Sequence, residues 1–172
     1  MSMPEPEFSL MIDLRQINDV PLTVEPAEAA RRRLAGRFGL TEIHRMCAEV
    51  VLARDGERVT ATGRLTADVI QPCRISGEDF PVHIDEPVAL RFVPPIDAAA
   101  PDEEIELTAD DLDEIEYDGT AFDLGEALAQ TLALAIDPFA EGPNADAFRA
   151  EHGLNDTAAS GPFAALAALK KD

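Results

Sequence analysis

Arg58-Val59-Thr60-Ala61-Thr62-Gly63-Arg64-Leu65-Thr66-Ala67-Asp68-Val69 alternates without a break, small or apolar residues at the odd positions and polar ones at the even. A period of two marks a strand with one face buried and the other in water. Ala48 to Ala53 is a strand candidate just ahead of it, and Asp55-Gly56 between the two favours a tight turn with positive φ. The pair reads as a hairpin. Downstream, Phe80, Val82 and Ile84 alternate, then Val88, Leu90 and Phe92, with Glu86-Pro87 expected to break the run in two. Antiparallel sheet is the economical reading.

The flanking segments supply the rest of the fold. Phe8, Leu10, Ile12 and Leu14 alternate with Ser9, Met11 and Asp13 as a first strand, and Leu22-Thr23-Val24 forms a short second one. Pro26 suits the first position of a helix over Ala27 to Phe38. That helix places Ala27, Ala30, Leu34 and Phe38 on one face and Arg31, Arg32, Arg33 and Arg37 largely around the others, with Gly39 as its stop. Asp123-Leu124-Gly125-Glu126 is a capping-box arrangement ahead of Leu124, Leu128, Leu132 and Ala135, and Pro138 ends that helix. A weaker helix runs from Ala145 to His152 with Gly153 as its stop. The expected fold is α+β: an antiparallel sheet with two or three helices packed on its apolar face. One domain spans residues 1–154, and residues 155–172 form a tail with a short apolar stretch, Pro162 to Leu169.

A chain of 172 residues with 46% hydrophobic content has enough apolar material for one core. Its charge is uneven. Residues 1–94 hold 11 basic and 15 acidic side chains, whereas residues 95–172 hold 3 and 19, for a total net charge of −20. Asp97 to Glu126 alone carries 13 carboxylates, and no Lys or Arg lies between Arg91 and Arg149. So many like charges resist compaction, so a mobile acidic loop is expected at about residues 95–120. The mean surface repels nucleic acid and anionic lipid, and a basic partner is its complement.

Several function classes lack their signatures. The amino terminus has no positively charged and apolar leader, and the most apolar stretch, Ala121 to Ala140, contains Asp123, Glu126, Asp137 and Pro138, which excludes it as a membrane span. A cytoplasmic location is expected. Cys47 and Cys73 lie far apart and neither has a Cys or His close enough to start a zinc site, so both are expected as free thiols without metal. His44, His83 and His152 read as surface residues, with His83 pointing away from the apolar face. The glycines are scattered, which removes support for a nucleotide loop. No catalytic constellation, cofactor site or small-molecule substrate is indicated.

Three segments resemble the YceD family of large ribosomal RNA subunit accumulation proteins. They are Thr66-Ala67-Asp68-Val69-Ile70-Gln71-Pro72-Cys73-Arg74-Ile75-Ser76, the helix from Phe122 to Phe139, and Gly161-Pro162-Phe163-Ala164-Ala165-Leu166-Ala167-Ala168-Leu169-Lys170. Their order, with an acidic insert between the first two, also looks like the family. Many members carry Cys-x-x-Cys in the first segment and further cysteines after the proline; here Ser76 stands at the second position and Phe139-Ala140-Glu141-Gly142-Pro143 follows the helix. The thiol pairs that a metal would need are therefore absent from those positions. The resemblance implies a part in large-subunit ribosomal RNA accumulation; it does not imply an enzyme, and it carries over no catalytic residues.

The leading expectation is therefore a non-enzymatic ribosome-assembly accessory protein that binds a basic ribosomal protein or a basic surface of the pre-ribosomal large subunit. Glu103, Glu104, Asp110, Asp111, Asp113 and Glu114 are its candidate contacts. The competing reading is direct RNA binding through Arg31, Arg32, Arg33 and Arg37, with the acidic loop as an internal competitor. One Tyr and no Trp give little support for base stacking.

Overall fold

The computed structural model describes residues 6–95 and 113–154. In chain order the elements are β1 (Met11–Asp13), β2 (Leu22–Val24), α1 (Glu28–Phe38), β3 (Glu42–Asp55), β4 (Arg58–Pro72), β5 (Asp79–Val93), β6 (Asp113–Glu116), β7 (Ala121–Asp123), α2 (Leu124–Ala135) and α3 (Ala145–Glu151). Strands β2-β3-β4-β5-β6 form one sheet in that spatial order, and β1 and β7 pair as a separate ribbon. The α+β expectation holds, with β6 pairing parallel to β5 in a sheet that is otherwise antiparallel.

The alternating segment is the centre of that sheet. β4 pairs antiparallel with β3 through Asp55↔Arg58 and with β5 along nearly its whole length, from Val59↔Phe92 to Pro72↔Asp79. Gly56 turns the β3–β4 hairpin with φ 62°. Along β4 the inward Val59, Ala61, Leu65, Ala67 and Val69 are buried, as the period of two requires. Gly63, in the same row, lies against the β3 backbone: a Cβ there would stand 1.9 Å from the Glu49 carbonyl oxygen and 2.8 Å from Val50 Cα. Only glycine permits that approach.

β3 is longer than its alternation announces, because the register slips between Ile43 and Arg45. The bulge at His44 lets Ile43 and Met46, three residues apart, both reach the core. β5 is continuous where a break at Glu86-Pro87 was expected. The Val93 carbonyl accepts from the Tyr117 amide just after β6, so odd-numbered residues of β5 turn their backbone groups away from β4. Pro81 and Pro87 occupy such positions and lose no bond to β4.

The inner face of the sheet is covered by the two main helices. Leu34 and Ala35 of α1 are buried, and α1 packs on β3. Leu124, Leu128, Ala129 and Leu132 of α2 are fully buried, with α2 packed on β5. Phe92 and Phe122 stack at 4.1 Å between ring centres at the heart of this core, each worth about 2–3 kcal/mol of burial.

Three boundaries differ from the sequence reading. α1 begins at Glu28 with Ala27 as its N-cap, which leaves the buried Pro26 outside the helix. The first strand shrinks to Met11–Asp13 because β7 offers only three partners; Leu10 instead donates its amide to Asp123 Oδ1 at 2.8 Å, and a 3-10 turn, Leu14–Gln16, follows. The acidic segment contains β6. Residues 96–112, most of the expected loop, and residues 155–172, the expected tail, lie outside the described residues. Residues 113–116 are strand and not loop: Ile115 and the buried Tyr117 share the inward side with Phe92, and that apolar anchoring outweighs the surrounding charge.

Candidate functional site

Two surfaces carry the sequence candidates, and they lie on different edges of the sheet. α1 sits over β3, while β6 is the terminal strand beyond β4 and β5. Among the described residues, the structure does not bring the α1 arginines and Glu114 together as one patch.

Much of the basic helix is committed within the chain. Arg31 donates from Nη1 to the Pro26 carbonyl at 2.9 Å and from Nε to the Ile43 carbonyl at 3.2 Å. Arg37 holds Glu126 with both terminal nitrogens and Glu7 with one. Arg32 pairs with Glu28 one turn earlier, and Arg33 donates to the Glu7 carbonyl at 3.0 Å. Arg31 and Arg37 are fasteners of α1, which leaves Arg32 and Arg33 as the more exposed cations.

At the other edge, the described acidic candidates are Asp113 and Glu114; Glu103, Glu104, Asp110 and Asp111 lie outside the described residues. Glu114 pairs with Arg91 across β5–β6 at 3.1 Å. Exposed Glu116 and Asp118 have no Lys, Arg or His within ion-pair distance among the described residues, and sequence reasoning did not single them out. Beneath them a groove of about 270 Å³ runs between β6 and α2, with Met11, Phe92, Ile115 and Phe122 among its apolar lining. Its acidic rim next to exposed apolar atoms was invisible in sequence because Met11 arrives from the far end of the chain.

Asp123-Leu124-Gly125-Glu126 is a structural junction. Asp123 Oδ1 accepts from the Glu126 amide and caps α2, while its Oδ2 accepts from Ser9 Oγ at 2.7 Å. Leu124 donates its amide to the Leu10 carbonyl, and a Cβ on Gly125 would stand 2.5 Å from the Leu10 nitrogen. Glu126 then takes Arg37, whose guanidinium holds its carboxyl below the ordinary carboxylate value. The motif welds the first strand, α1 and α2 together.

The loop after β4 has a comparable internal logic. Cys73 is buried, and its sulfur accepts from the Ile75 and Ser76 amides at 3.4 Å each. The Ser76 hydroxyl, then the Ser76 and Gly142 amides, pull the thiol down to about 7 by favouring the thiolate. The Arg74 amide reaches the Ala140 carbonyl at 3.0 Å, so the post-helix segment packs over this loop. Cys47 is also a free, buried thiol, and burial pushes it up. His83 is exposed beside Asp68, and His44 and His152 are exposed too. Among the described residues there is no cluster of three or more metal-ligating side chains. No helix among them is long and apolar enough to cross a membrane.

Residues 61–170 match the family described as the large ribosomal RNA subunit accumulation protein YceD. The chain belongs to the YceD family. No curated protein and no solved structure gives a significant match. The matched YceD region begins within β4, takes in the Cys73 loop, β6, α2 and α3, and extends through the apolar stretch that ends at Leu169. α1 and its arginines precede it.

Proposed function

We propose that this YceD protein supports accumulation of large-subunit ribosomal RNA without catalysis, by binding a basic ribosomal protein or a basic surface of the pre-ribosomal large subunit. The observation that carries the reading is the placement of acid. Residues 95–172 hold 19 acidic and 3 basic side chains, and the described part of the acidic segment forms the terminal strand of the sheet, with Glu114, Glu116 and Asp118 exposed. A surface of one sign at a sheet edge concentrates a partner of the other sign and accelerates its docking. Such a partner binds ribosomal RNA by its own charge; shielding it until assembly would favour RNA accumulation without any chemistry on the RNA. The matched YceD region supports the acidic surface over the arginine helix, since it contains the former and not the latter. Recovery of bound species from lysate, before ribonuclease treatment and at low and high salt, tests the reading. A ribosomal protein or assembly intermediate retained at low salt and released at high salt is expected; recovery of none at low salt overturns it.

A further inference from the structure

Strand order leaves one side of β6 without a neighbour among the described residues. The Tyr117 amide points to β5, where it donates to the Val93 carbonyl at 2.9 Å. Backbone groups alternate along a strand, so those of Glu114 and Glu116 turn to the open side. The two sheet edges on this flank differ in an instructive way. β5, an edge among the described residues below its pairing with β6 at Leu90, carries Pro81 and Pro87, both of which remove donors from the side away from β4. β6 has no proline and keeps its donors.

Side-chain chemistry at that edge has two sides. Glu114 and Glu116 stand on the outer face of the sheet in the row of Arg91, and Ile115 lies on the inner side with Phe92. The groove under Ile115 combines Met11, Phe92, Phe122 and Ala127 with the acidic Glu116, Asp118 and Glu126, and Met11 in its wall is 57% exposed. A strand added beside β6 would alternate in register with it. One set of its side chains would enter the groove, and the other would meet the carboxylates of Glu114 and Glu116.

We propose that β6 receives an extended basic segment of the partner as a sixth strand, whose apolar residues fill the groove beside Met11 and Ile115 and whose Lys or Arg residues face Glu114 and Glu116. This rests on the reading that the partner is basic, and names how it is held. The acidic residues 96–112 are an unsuitable occupant because they share the sign of the rim. The chain's own Phe163 to Lys171, apolar and ending in its only two lysines, is the rival occupant.

The test uses the full chain and two labelled peptides of roughly ten residues, one alternating Lys and Val and one with the same residues in two blocks, followed by fluorescence anisotropy at low salt. The alternating peptide is expected to bind about tenfold or more tightly than the block peptide. Glu116→Pro, which removes an outward donor without touching the β5 ladder, is expected to erase that preference. Met11→Lys, at an exposed position outside the five-stranded sheet, is expected to do the same, and serves if the proline variant does not fold. Equal binding of both peptides, unchanged by either variant, overturns strand addition while leaving the charge-based reading intact. Absence of binding by either peptide overturns both. A gain of about tenfold or more for the alternating peptide on deleting residues 162–172 assigns the groove to the chain's own segment and overturns the proposal.

Discussion

Arg37 and Glu126, 89 residues apart, form a two-pronged ion pair, Nη2 to Oε1 at 2.8 Å and Nη1 to Oε2 at 3.0 Å, that fastens α1 to the first turn of α2. The bidentate geometry suits guanidinium and carboxylate, and a neighbouring Glu7 adds a second acid to Arg37. Solvent reaches this pair, with 34% of the Arg37 side chain exposed, so its net worth is that of a surface bridge.

Arg37→Ala is therefore expected to lower stability by at most about 1 kcal/mol at neutral pH. The Glu126 carboxyl titrates below its ordinary 4.5 in the fold, so the pair's contribution is fully present above pH 4.5 and is lost as pH falls through the lower folded value. Urea unfolding of both proteins checks this: the gap between their midpoints should be constant near neutrality and close in acid. A gap that persists in acid would assign the loss to packing.

Gly63→Ala is expected to cost far more. The added methyl would lie 1.9 Å from the Glu49 carbonyl oxygen, and backbone cannot swing aside as a flexible side chain can. A loss of about 3 kcal/mol or more, with reduced soluble yield, follows from forcing β3 and β4 apart in mid-hairpin. Denaturant midpoints measure it.

The central hairpin was legible because Val59 to Val69 obeys a period of two and Asp55-Gly56 permits a sharp turn. Where sequence reading fell short, a tertiary partner changed the local rule. The bulge at His44 shifts parity and hides the first part of β3. Pro87 looked like a breaker, yet its missing donor faces away from β4, a fact available only once the β4 register is known. β6 was submerged in carboxylates, because Ile115 and Tyr117 gain their value from Phe92 and Phe122 and not from their own neighbours. The charge asymmetry was plain in composition; the groove beneath it needed Met11 and Ala127, far apart in the chain, in one lining.

The arginines of α1 should divide by role. Arg31→Ala removes donors from the Pro26 and Ile43 carbonyls and is expected to cost about 1–2 kcal/mol. Arg32→Ala with Arg33→Ala should stay within about 0.5 kcal/mol. Filter binding of RNA by that double variant, across a salt series, is expected to match the parent. A shallower salt slope would instead place phosphates on this helix.

Cys73 offers a pH signature. Ser76 and the surrounding amides lower the thiol from 9.0 to about 7, so the stability it contributes is fully present above pH 9 and is lost as pH falls through 7. Thiolate absorbance in the ultraviolet should show a midpoint near 7 that Ser76→Ala moves upward. The stability gap between the parent and Cys73→Ser should widen from pH 7 to pH 9. Elemental analysis of the purified protein is expected to find no stoichiometric zinc, since a single thiolate does not make a structural site.

The acidic segment gives the most direct test of recognition by charge. Glu103, Glu104, Asp110 and Asp111 lie in a run with no Lys or Arg, and their mutual repulsion opposes any compaction. Replacing the four by Gln or Asn removes repulsion and no basic partner within that run, so the unfolding midpoint should hold or rise slightly. Association with the basic partner should slow, because attraction between exposed charges guides the encounter and acts over about 8 Å at physiological ionic strength. The difference between parent and variant should be largest at low salt and vanish at high salt, with dissociation rates little changed. Stopped-flow mixing with a ribosomal protein recovered from lysate reads both rates. An association rate equal to that of the parent at low salt would remove this segment from the recognition surface, and leave Glu114, Glu116 and Asp118 at the β6 edge to carry the attraction alone.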